Sequence, residues 1–125
     1  MIVPENLKYT KEHEWVKVEG DLATIGITDH AQSELGDIIF LEFPDLNQNI
    51  TKDEPFGTIE AVKTVADLFG PISGNVTKIN ENLEDSPEKV NSDPYGEGWI
   101  VKVSIKDSVE LDELMNFEQY RELIS

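Results

Sequence analysis

At 125 residues, with 38% hydrophobic and 8% aromatic content, the chain is sized for one domain over residues 1–125 with a single modest core, and is too apolar for a disordered protein. It has no cysteine, which excludes disulfides, thiolate metal sites and thiol nucleophiles, and no apolar stretch approaches the roughly 18 residues of a membrane-spanning helix. Twenty-six acidic against ten basic residues leave a net charge of −16, a surface that disfavours nucleic acid and anionic membranes, favours a monomer, and is either a solvated acidic coat or a means of steering to basic patches on partners.

The opening Met1-Ile-Val-Pro-Glu-Asn6 has no basic leader, apolar signal core or Arg-rich character, so a cytoplasmic location is expected, although a processed organellar protein would look the same. Trp15–Val18 and Leu22–Ile27 alternate apolar with polar or small residues around Glu19-Gly20-Asp21, which predicts an opening hairpin. Thr28 is placed to cap a short helix through Leu35, with Asp29 in its first turn and Gly36 ending it. Ile38–Phe43 is the most strand-like run and closes at Pro44, while the polar stretch Asn47–Glu54 reads as a turn. Asn75–Ile79 is predicted as a strand with Val76 and Ile79 buried. The acidic, proline-punctuated Glu81–Pro94 has room for one helical turn near Glu88–Val90. Trp99, Val101, Val103 and Ile105 alternate on one face of a further strand. From about Val109 the spacing is helical, and Asn116 with Gln119 three residues on forms a capping pair for the last helix. Trp15, Phe40, Phe43, Phe69 and Trp99 are expected in the core. The periodicity alone describes a mostly β protein with a C-terminal helix.

Between the strand at Ile38 and that at Asn75, two short apolar runs, Phe56–Ile59 and Ala66–Phe69, flank the single lysine Lys63. A strand–turn–strand reading puts Lys63 at a hairpin tip with its amine in water, and Gly70-Pro71 and Ser73-Gly74 turn the chain back. A lysine presented this way suits enzymatic acylation, because another protein grips the hairpin and reaches the amine.

Glu60-Ala-Val-Lys63-Thr resembles the lipoylation segment of the glycine cleavage H proteins, usually Glu-Ser-Val-Lys-Ala. Tyr9-Thr-Lys-Glu-His-Glu-Trp15-Val, Gly26-Ile-Thr-Asp-His-Ala-Gln32, Leu35-Gly-Asp37 and Asn91-Ser-Asp-Pro-Tyr-Gly-Glu-Gly-Trp99 resemble further landmarks of that family, in its order. The flanks Val62 and Thr64 differ from the Met-Lys-Met of biotin carriers and the Asp-Lys-Ala of 2-oxoacid dehydrogenase lipoyl domains.

The resemblance implies a barrel-sandwich hybrid of the lipoyl-domain type, a flattened barrel with short helices and an added C-terminal helix. It implies lipoate attached covalently to Lys63, with Glu60 helping a lipoyl ligase or transferase choose that lysine. It implies a non-catalytic carrier that takes an aminomethyl group from glycine decarboxylase to aminomethyltransferase and is reoxidised by dihydrolipoyl dehydrogenase. Glu14 and Asp67 occupy family positions associated with a cleft that would hold the ammonium of the loaded arm. Glu34 stands where some relatives have a histidine near that cleft. Two alternatives remain at this point: a lipoyl relay that donates lipoate to 2-oxoacid dehydrogenases, and an acidic interaction module that is never lipoylated. His13 and His30 are too few for a dedicated zinc site, and Gly96-Glu97-Gly98 lacks the remaining glycines of a dinucleotide loop.

Overall fold

In the computed structural model, which describes residues 1–125, the alternating segments form two antiparallel sheets that share one hydrophobic core. The strands are β1 (Lys8–Tyr9), β2 (Glu14–Glu19), β3 (Leu22–Ile27), β4 (Ile38–Glu42), β5 (Asn49–Ile50), β6 (Pro55–Ala61), β7 (Val65–Phe69), β8 (Gly74–Ile79) and β9 (Val101–Ile105). One sheet runs β1-β2-β3-β9-β8-β5 and the other β4-β6-β7, and neither closes on itself. Val16, Ile25, Val76 and Val103 from the larger sheet meet Leu41, Ile59 and Leu68 from the smaller one in that core. This is the flattened sandwich expected for the chain, and no helix in it is long and apolar enough to cross a membrane.

Local signals placed several elements closely. The β2–β3 hairpin turns at Gly20, whose φ of +62° suits a residue without a Cβ. Helix α1 (Asp29–Leu35) begins where the Thr28 hydroxyl accepts from the Ala31 N–H at 3.1 Å and ends at Gly36. The last helix, α4 (Phe117–Ile124), carries the full capping box: the Gln119 N–H donates to Asn116 and the Asn116 N–H to the Gln119 side chain.

Other expectations need correction. The polar stretch read as a turn contains β5, whose Ile50 is buried and pairs with Gly74 of β8. Glu81–Pro94 holds two single-turn helices, α2 (Asn82–Asp85) and α3 (Lys89–Ser92), anchored by buried Leu83 and Val90. The segment after Val109 is not α-helical at first; Ser108–Glu113 is a 3-10 helix, begun by Asp107 accepting from the Val109 N–H. Val76 is fully buried but Ile79 only partly, and a register shift between Val76 and Lys78 sets their spacing.

Of the five aromatics expected in the core, Trp15 alone is fully buried, its indole N–H donating to the Pro94 carbonyl at 3.0 Å. Phe43 and Phe69 are half-buried and Phe40 is exposed. Trp99 precedes β9, and Lys78 and Lys102 hold their ammonium groups 5.9 and 5.2 Å from its ring centre. Ile100, its neighbour, takes the buried place instead.

Candidate functional site

The smaller sheet carries a tight turn between β6 and β7. β6 and β7 pair from Pro55↔Phe69 to Glu60↔Val65, and the Ala61 N–H donates to the Thr64 carbonyl at 2.8 Å, closing the loop Val62-Lys63-Thr64. The Val62 N–H donates to the Asp37 carbonyl at 3.1 Å, tying the tip to the bend between α1 and β4. Asn91 locks that bend: its amide donates to the Gly36 carbonyl and the Gln32 side chain and accepts from the Ile38 N–H. Lys63 is exposed on this braced turn, with no carboxylate in ion-pair range. Glu60 is half-buried on the outer face of the sheet, in a cross-strand row with Phe40 and Val65.

A cleft of roughly 170 Å³ lies between the start of β2, helix α1 and the β6–β7 hairpin. Ile27, Ala31, Leu35, Ile59, Ala66 and Leu68 form its apolar bed. Glu12, His13, Glu14, Glu34 and Asp67 supply its polar lining. Asp67 is four residues along the chain from Lys63, so their Cα atoms stand no more than roughly 14 Å apart. The structure therefore gathers Glu14 and Asp67 at one cleft on the lysine hairpin, while Glu60 lies outside it.

Glu14 is the unusual member. Its side chain is 2% exposed, yet no lysine, arginine or histidine lies in ion-pair range. The Thr10 hydroxyl donates to Oε1 at 2.6 Å and the Phe69 N–H to Oε2 at 3.1 Å. Burial outweighs both bonds and pushes the carboxyl up from 4.5 to about 7. Asp67 is exposed, in an outward-facing row with Thr58 and Glu42, and joins the cleft at its rim.

His13, too isolated in sequence to suggest a zinc site, also lines the cleft. Its φ is +70°, its Nδ1 is 2.8 Å from the Tyr120 hydroxyl, and its ring centre is 4.8 Å from that of His30. Burial, then the neighbouring His30, holds it below the ordinary histidine range. Tyr120 also stands 2.7 Å from the Thr28 hydroxyl and stacks on Tyr9 at 4.6 Å, so α4 braces the cleft from behind. Tyr120 joins this group only through contacts across more than ninety residues, and no local signal points to it.

Residues 7–125 match the family described as Glycine cleavage H-protein. The chain belongs to that family. With membership goes the lipoyl-carrier role in glycine cleavage, and lipoate carried on a lysine as the covalent cofactor. The chain is 58% identical over 124 residues to the glycine cleavage system H protein of Staphylococcus carnosus, covering 99% of this chain and 98% of that one. It is 56% identical over 124 residues to the protein of the same name from Staphylococcus saprophyticus, with the same coverage. Among solved structures it resembles a glycine cleavage system H protein from Mycobacterium marinum, with a TM-score of 0.85 and 31% identity over 96% of this chain and 97% of that one.

Proposed function

We propose that Lys63 is the lysine that bears the lipoyl group, and that the cleft lined by Glu14 and Asp67 is where the loaded arm rests. The supporting observation is the pairing of an exposed, braced lysine with a cleft whose deepest carboxyl has no cation of its own. The apolar bed suits a hydrocarbon arm. The buried carboxyl suits an ammonium, which would supply the missing counter-charge. Lipoyl brings a redox-active disulfide that a chain without cysteine cannot provide.

In this reading the protein performs no turnover itself. Its contribution is presentation of the arm to a glycine decarboxylase, an aminomethyltransferase and a dihydrolipoyl dehydrogenase in turn, with the tether raising local concentration at each. Glu60 contributes to selection of Lys63 during attachment. The reading includes a monomer, supported by the charge of −16, and a cytoplasmic location, supported by the bacterial source of the relatives.

Intact mass of the protein purified from its own host, with peptide mapping, tests the assignment. One lipoyl group on Lys63 is expected, and Lys63→Arg should lose both the added mass and support of glycine decarboxylation. A lipoyl group mapped to any other lysine would refute it.

A further inference from the structure

Four of the large apolar side chains left in water lie on the lysine hairpin or on the strand paired with it: Ile39, Phe40, Val62 and Val65, at 48%, 55%, 66% and 60% exposure. Their placement follows from a distortion in β4. Ile38 pairs with Ala61 and Phe40 with Glu60, so Ile39 is an extra residue opposite no partner. Strict alternation would send one of two neighbouring residues inward; the bulge turns both Ile39 and Phe40 outward while Ile38 and Leu41 stay buried. Exposing two large apolar neighbours costs solvation free energy, and nothing else in the chain covers them.

Phe40, Glu60 and Val65 form one outward row directly below the lysine turn, and Glu42, Thr58 and Asp67 form the next outward row. The face is thus apolar beside the lysine and acidic along its margin. Its complement is a surface with an apolar centre and a basic rim.

We propose that this face, centred on Phe40 and Val65, is the docking surface for the enzyme that acylates Lys63. The proposal rests on Lys63 being the acceptor. Among the partners of a carrier, the acylating enzyme must bring the Nζ atom itself into its active centre, so its contact area necessarily includes the residues beside the turn. Enzymes that act on the far end of the arm need reach only its sulfur atoms. In the acylation, Nζ attacks the carbonyl of ATP-activated lipoate; the amide C–N bond forms, the bond to the adenylate breaks, and the amine proton leaves to solvent. The bulge places apolar contacts beside the nitrogen that this reaction must reach.

The test uses the unmodified full chain with lipoate–protein ligase, ATP and lipoate, following mass gain against carrier concentration. Phe40→Thr with Val65→Thr puts a strand-favouring β-branched residue at each position and should raise KM for the carrier roughly tenfold while kcat changes by less than about twofold. Leu123→Thr, at a large apolar residue 48% exposed on α4, should leave both constants unchanged. Ile39→Thr, outside the paired register, replaces the double variant if the latter fails to fold. An unchanged KM overturns the proposal. So does an equal rise in the KM of glycine decarboxylase for the fully lipoylated double variant, which would assign the face to that enzyme. Lys63→Arg separates the two readings: mass gain in that variant refutes the acceptor assignment itself.

Discussion

The Phe69 N–H donates to Glu14 Oε2 across 3.1 Å, joining the end of the lysine hairpin to the first residue of β2 in the other sheet. The carboxyl that makes this link is buried without a cation, which has a consequence for stability. Its folded value of about 7 lies above the ordinary 4.5, so between those values the native state holds a proton that the unfolded state releases. By linkage, stability falls as pH rises from about 5 through 7, by at most roughly 3 kcal/mol from this group. Glu14→Gln imitates the neutral acid and should lack that component. Thermal midpoints of both proteins from pH 5 to pH 8.5 should therefore diverge, the wild type losing ground as the solution becomes more alkaline.

The β2–β3 hairpin, the Thr28 and Gly36 ends of α1 and the Asn116–Gln119 box were legible because each signal lies within a few residues of its effect. Lys63 was legible as a turn residue between two apolar runs, and its chemistry through family resemblance. The outward position of Phe40 was not, because one inserted residue reverses the parity on which alternation depends. Asn91 was legible as part of a family landmark, but its side-chain bonds to Gln32, Gly36 and Ile38, more than fifty residues away, were not. His13 gained its neighbours Tyr120 and His30 only through folding.

The brace behind the cleft is testable through Tyr120. Its buried hydroxyl bridges His13 Nδ1 at 2.8 Å and Thr28 Oγ1 at 2.7 Å. Tyr120→Phe keeps the stack on Tyr9 but removes both bonds, leaving the His13 nitrogen without its partner. A loss of about 1–2 kcal/mol in urea unfolding is expected. Lipoylation of Lys63 should be unaffected, because the hairpin is braced separately through Asp37 and Asn91.

Gly26 probes the packing of the one fully buried tryptophan. It pairs with Trp15 across β2 and β3, and a Cβ there would stand 2.7 Å from the indole ring. The ring cannot slide freely, since its N–H is bonded to the Pro94 carbonyl. Gly26→Ala should cost about 1–3 kcal/mol of stability, with a changed tryptophan fluorescence maximum as the ring shifts.

The last prediction concerns the loaded arm. If the cleft protects an ammonium, both carboxylates contribute, Glu14 from the buried floor and Asp67 from the exposed rim. The two should not contribute equally. A pair formed with Glu14 is shielded from water and salt, whereas one formed with Asp67 is screened. An ammonium beside Glu14 would also favour its ionised form, so loading should release a fraction of a proton near pH 7. Glu14→Gln preserves shape while removing the charge and should speed spontaneous ammonia release from the loaded protein roughly tenfold; Asp67→Asn should do so by less, about twofold. The release is measured without partner enzymes, in low and high salt, and salt should accelerate decay in the wild type and Glu14→Gln more than in Asp67→Asn. Equal decay in all three proteins would show that the cleft contributes shape alone and that neither carboxylate holds the cargo.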